Sequence, residues 1–139
     1  MQGLYKQLLI KIYSNSLLDM KNTVETLAEN LHLTEDYVRE LCNSTKEQSL
    51  ISESEGEFKL TNKGRSKIKV VFTGGVFDII HPGHIFTLSS AKNLGDVLVV
   101  IVARDKIVMK NKGYSPLNNE EQRLELVNSL KFVDAAILG

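Results

Sequence analysis

His81 and His84 stand three residues apart in the run Thr73-Gly-Gly-Val-Phe-Asp-Ile-Ile-His-Pro-Gly-His84. Imidazole is the side chain that donates, accepts or carries a proton near neutral pH. Pro82 suits the first turn of a helix, so both rings fall at a helix N-terminus. Unpaired amides and the positive end of the helix dipole make that terminus attractive to anions. Gly74 and Gly75, just upstream, let backbone approach an anion closely. The arrangement suits a phosphate chain. The imidazoles can stabilise charge growing on an α-phosphate and on departing pyrophosphate. An acceptor's own phosphate oxygen can attack in line, so the protein supplies placement and charge stabilisation rather than a nucleophile.

Other chemistries fit less well. A His-x-x-His pair can bind metal, but no third or fourth Cys/His ligand is evident, so no metal site is expected. No Gly-Lys-Ser/Thr follows the glycines, which excludes a Walker loop, and the dinucleotide pattern Gly-x-Gly-x-x-Gly is absent.

The histidines need a scaffold, and residues 67–139 supply its pattern. Residues 68–73 form a short apolar run fit for a buried parallel strand. A helix from Pro82 turns Ile85, Leu88 and Ala91 inward and ends at Asn93-Leu94-Gly95. Residues 96–103 are a second buried strand. Residues 106–116 read as a basic loop. Asn118 or Asn119 caps a further helix through Leu130, with Glu120 and Glu121 in its first turn. Residues 133–138 are a third strand. Right-handed crossovers then predict a Rossmann-like, parallel three-layer α/β unit with strand order 3-2-1.

Residues 1–66 differ in grammar. Leu4, Leu8, Leu9 and Ile12 mark a first helix, and Val24, Leu27 and Leu31 a second, capped by Asn22 or Thr23. Thr34 caps a third, which carries Tyr37, Val38, Leu41 and Cys42. Leu50-Ile51 and Phe58-Lys-Leu60 flank an acidic turn as a hairpin, and residues 61–64 start a short helix. Three helices and a hairpin resemble a winged helix-turn-helix domain of the α+β type. The boundary falls at residues 65–68, giving domains 1–66 and 67–139.

Composition narrows the possibilities. The chain has 139 residues, 42% of them hydrophobic, and zero formal net charge, which fits a globular protein without a global field for nucleic acid or anionic membrane. Residues 1–66 hold eight Lys/Arg against ten Asp/Glu, and residues 67–139 nine against seven. The third helix begins Thr34-Glu35-Asp36 and the hairpin turn carries Glu53, Glu55 and Glu57, which argues against DNA binding. His32 reads as an ordinary turn residue and Cys42 as a small buried apolar one. No apolar stretch reaches membrane-span length and no signal-peptide pattern opens the chain, so a cytoplasmic protein with no membrane partner is expected.

The run Gly75-Val-Phe-Asp78-x-x-His81-x-Gly83-His84 resembles the signature of the cytidylyltransferase-like nucleotidyltransferase superfamily. The resemblance extends over residues 68–139. Arg104-Asp105, the Lys-rich stretch to Gly113, Glu121-Gln-Arg123 and Val133-Asp134-x-Ala-Ile-Leu-Gly139 are similar to the archaeal FAD synthases. Glycerol-3-phosphate cytidylyltransferases and the sugar-phosphate adenylyltransferases of lipopolysaccharide core synthesis share the same grammar.

The resemblance implies nucleoside monophosphate transfer from NTP to a phosphorylated acceptor, ATP and FMN being favoured, with Mg²⁺ accompanying the NTP. It implies catalytic roles for His81, His84 and Lys112. It places Thr73, Gly74, Gly75, Phe77, Asp78, Gly83, Arg104, Asp105, Lys110 and Arg123 around the nucleotide. Within that set Asp78 would order the loop or bind the acceptor side, with a turn cap as the competing reading. For Lys110 and Lys112 a merely solvated position, and for Arg123 an ion pair with a nearby Glu, are the competing readings. Relatives continue into two further strands and a second phosphate-gripping signature. The first strand is therefore expected to lack a neighbour: either the sequence is a piece of a longer one, or a homodimer or other partner chain covers that edge.

Overall fold

In the computed structural model the described residues are Gln2–Gly139, apart from the side chain of Gln2. The chain divides into two compact units, Met1–Lys69 and Val70–Gly139.

The first unit runs α1 (Gln2–Leu17), α2 (Val24–Leu31), α3 (Glu35–Glu47), β1 (Ile51–Ser54), β2 (Glu57–Leu60) and α4 (Asn62–Arg65). Local chemistry starts each helix after the first. Thr23, Thr34 and Thr61 sit in extended backbone and accept from the amides of Thr26, Tyr37 and Gly64, satisfying donors that a helix leaves unpaired. His32 closes α2 in the left-handed conformation, φ 56°. Asn22 does not cap. It is buried, donates to the Ile12 carbonyl and, through its own carbonyl, accepts from the Phe58 amide. It thereby ties α1 to the hairpin. β1 and β2 are antiparallel, Ile51 facing Leu60 and Ser54 facing Glu57. Glu55 and Gly56 turn the chain with φ of 52° and 77°, the doubly positive pair of a tight hairpin. Leu8, Ile12, Leu27 and Val38 are wholly buried, with Phe58 and Leu41 nearly so.

The second unit runs β3 (Val70–Gly75), α5 (Pro82–Lys92), β4 (Val97–Val102), α6 (Asp105–Lys112), α7 (Glu120–Asn128) and β5 (Ala135–Leu138). Its sheet is parallel, in the order β3-β4-β5, with Val70 beside Val97 and Val99 beside Ala135. This is the predicted neighbour order. The central strand, Val-Leu-Val-Val-Ile-Val, is buried along nearly its whole length, as a parallel strand requires. Leu98, Val100 and Val102 alternate onto one face and join Leu88 of α5, Val127 of α7, Phe77, Val133 and Ala136 in a single cluster. At the outer edge, Asn128 donates to the Ala136 carbonyl and accepts from its amide, standing where another strand would pair.

One element departs from the sequence reading. Residues 106–116 are not a loop, because Asp105–Lys112 is helical. Asp105 lies in its first turn and Lys110 and Lys112 in its last, matching the dipole. Val108 is buried, and Gly113 ends the helix at φ 77°, a backbone state that glycine adopts without penalty.

Candidate functional site

The carboxyl ends of β3 and β4 and the start of α5 converge, the place where open α/β sheets bind ligands. The Ala103 amide donates to the Gly75 carbonyl at 2.9 Å, closing the two strand ends together. Beyond Gly75 the chain turns through Phe77, at φ 54°. Phe77 is buried, and its ring lies where a Cβ on Gly75 would sit, 2.9 Å away. Gly75 is therefore required by the ring. Thr73 is half-buried, paired in register with Val100, and Gly74 lies beside Ile101.

His81 is the N-cap of α5. Its Nδ1 accepts from the Gly83 amide at 3.1 Å, and its own amide donates to His84 Nδ1 at 3.3 Å. The two rings lie 3.9 Å apart, tilted by 33°, and the Phe77 ring stands 5.4 Å from His84. Gly83 has a steric reason to be glycine. A Cβ there would sit 2.8 Å from His81 Cε1, so only glycine lets the cap fold back over the helix. Because both Nδ1 atoms accept, both Nε2 atoms carry the hydrogen in the neutral rings. Neither Nε2 has a partner among the described residues. Burial first, and the neighbouring His81 second, hold the His84 pKa below its ordinary 6.5, so this ring stays neutral at pH 7. The pair is a double hydrogen-bond donor at a helix N-terminus.

Asp78 orders the loop rather than facing outward. Its two carboxylate oxygens accept from the amides of Leu117 and Asn118 at 2.7 Å each, and its carbonyl accepts from the Asn118 side chain. The Asn118 amide, then that of Leu117, pull the carboxyl pKa below its ordinary value. This matches the loop-ordering role expected of Asp78 rather than a local turn cap, since the amides come from about forty residues away.

Arg123 requires a correction. It is wholly buried. Its guanidinium donates to the carbonyls of Asn118, Val76 and Ala103 and to the Asp105 carboxylate, at 2.7 to 3.0 Å. It is a clamp holding the ends of β3 and β4 to the start of α7, not a surface cation turned to phosphate, and its acidic partner is Asp105 rather than a glutamate. Asp105 is consumed likewise: its amide donates to Glu120 and its carboxylate holds Arg123. Arg104 is exposed, donates to the Gly139 carbonyl at 2.7 Å and lies 3.9 Å from Glu120. Lys110 and Lys112 are exposed on the last turn of α6, and no described contact joins either to the imidazoles. Glu120 and Asn118, as partners of these groups, were not foreseen beyond helix-start roles. Their long-range bonds leave no mark in local spacing.

Comparison with known proteins places this geometry. Residues 72–139 match the family described as Cytidylyltransferase-like. The chain is similar to FAD synthases from Thermococcus sibiricus, 55% identical over 54% of this chain and 50% of the relative, and Pyrococcus horikoshii, 52% identical over 52% and 49%. That from Pyrococcus abyssi is 50% identical over 55% and 51%. The chain thus spans about half the length of the curated relatives it matches. A crystal structure described as the lipopolysaccharide core biosynthesis protein from Thermoplasma volcanium shares 51% identity, covering 52% of this chain and 58% of that one, with a TM-score of 0.49. The tilted imidazole pair and nearly all of the parallel sheet lie within the matched residues: the second unit, from residue 72 to 139, is similar to the cytidylyltransferase-like family.

Proposed function

We propose that the second unit forms one wall of a nucleotidyl-transfer site, and that the favoured reaction joins the AMP moiety of ATP to FMN. The observation that carries the reading is the His81–His84 pair, with two Nε2 donors side by side at the start of α5. An FMN phosphate oxygen attacks the α-phosphorus, the bond to the bridging oxygen breaks, and pyrophosphate leaves. Hydrogen bonds from the imidazoles to the phosphate oxygens strengthen as charge grows there. The naming of three relatives as FAD synthases supports the choice of acceptor.

Among the described residues no group of three His, Cys, Asp or Glu side chains is placed to hold an ion. Mg²⁺ would enter on the triphosphate, whose oxygens it prefers, and would supply charge neutralisation to the leaving group. Lys110 and Lys112 are proposed as phosphate-side cations from the end of α6. No helix of the described residues is long and apolar enough to cross a membrane.

The test is a pyrophosphate-release screen of four NTPs against FMN, glycerol phosphate and heptose phosphate, run on this chain and on any longer form. ATP with FMN is expected to give product, and His84→Ala to slow it by about 10²–10³-fold. Turnover with CTP or a polyol phosphate alone would transfer the reading to another acceptor. Absence of both NTP binding and turnover would overturn it.

A further inference from the structure

We propose that the first unit carries a ligand site of its own, for a small aromatic phosphate monoester. A cavity of about 660 Å³ opens between the C-terminal half of α1, the α1–α2 connection, β2 and α4, within the range of small-molecule pockets. Tyr13, Lys21, Lys59 and Arg65 line it. Arg65 lies over the Tyr13 ring, 5.1 Å from its centroid, a cation–π contact, and a planar guanidinium is itself a group on which an aromatic ring can stack. Lys21 and Lys59 approach from separate elements, and neither has an ion-pair partner among the described residues. Two such ammonium groups and a guanidinium on one cavity match a phosphate dianion. Asp19 and Glu57 also line the cavity. They repel a bare polyanion but accept hydrogen bonds from hydroxyls, as on a ribose or ribityl chain. A ring, a hydroxylated linker and one phosphate satisfy every class of group present. Both nucleoside monophosphates and FMN have that chemistry.

The inference does not rest on the transfer reaction, since every lining residue lies in Met1–Lys69. The test is an amide-resolved NMR titration of the full chain with AMP and, separately, with FMN. Saturable shifts at Tyr13, Lys21, Lys59 and Arg65 are expected with at least one of them, and the arm that saturates names the ligand. Lys59→Glu and Lys21→Glu, both at exposed positions, are expected to weaken that binding about tenfold or more, the worth of a charge-assisted phosphate contact. Shifts confined to residues 73–84 would support transfer chemistry and overturn this site. Unchanged affinity in both charge reversals, or no shift in the first unit, would overturn it as well.

Discussion

The single atom that Gly83 lacks decides the geometry of both histidines. Alanine there would place a Cβ 2.8 Å from the His81 ring, so the ring must swing off the helix and release the Gly83 amide. Its contact with His84 goes with it. Gly83→Ala is expected to cost about 1 kcal/mol of stability, the worth of an N-cap, and to reduce turnover far more. Thermal melts set beside pyrophosphate release check this; equal small losses in both would mean that the cap serves folding alone. His84 gives a second prediction. Its folded pKa is lowered, so on acidification the unfolded chain takes up this proton first. The stability linked to His84 is therefore full well above pH 6.5 and is lost as pH falls from there through its folded pKa. An NMR titration of its ring proton is expected to give a midpoint below that in the urea-unfolded chain. His81→Ala should raise the midpoint by removing the neighbouring charge.

At the scale of elements, Arg123 joins what sequence separates. Three carbonyls on three segments and one carboxylate converge on a guanidinium with no exposure. Arg123→Met leaves those acceptors unpaired and is expected to cost about 3–5 kcal/mol. Urea unfolding with an unchanged slope would measure it; a shift under about 1 kcal/mol would show that water replaces the guanidinium. The same residue marks where sequence reading stops. The cap Thr34, the caps Thr23 and Asn119 each as one of two candidates, the proline opening α5 and the strand order were legible because they rest on local bonding or on runs of apolar residues. The glycine-rich turn and both histidines of the candidate site were legible for the same reason. The helix Asp105–Lys112 was not, since only Val108 of its apolar residues is buried and Ile107 and Met109 are exposed. Nor was the clamp, because a buried arginine is defined by carbonyls that folding alone brings to it.

Across the whole molecule, the boundary after Lys69 moves Lys67 and Lys69 into the first unit. Met1–Lys69 then holds ten basic and ten acidic residues and Val70–Gly139 seven of each, so the opposite charges of residues 1–66 and 67–139 vanish. Neither unit then carries a net charge, and each packs a buried apolar core that can hold it together. The first has the means: Leu8, Ile12, Leu27 and Val38 are fully buried, Phe58 nearly so, and the Asn15 side-chain amide donates to the side-chain carbonyls of both Asn22 and Asn30. A polypeptide of residues 1–69 is near the size at which a single core becomes marginal, yet it is expected to unfold in one cooperative step. Gly64→Ala supplies the contrast, since a Cβ there would stand 2.0 Å from the Leu50 carbonyl oxygen, a backbone atom that cannot give way without moving β1 from α4. Calorimetry on the two polypeptides checks both halves of the argument. A cooperative transition for the native sequence, lowered by several degrees or abolished in the alanine variant, is the expected result. A broad, non-cooperative melt of the native polypeptide would mean that the first unit depends on the rest of the chain to fold.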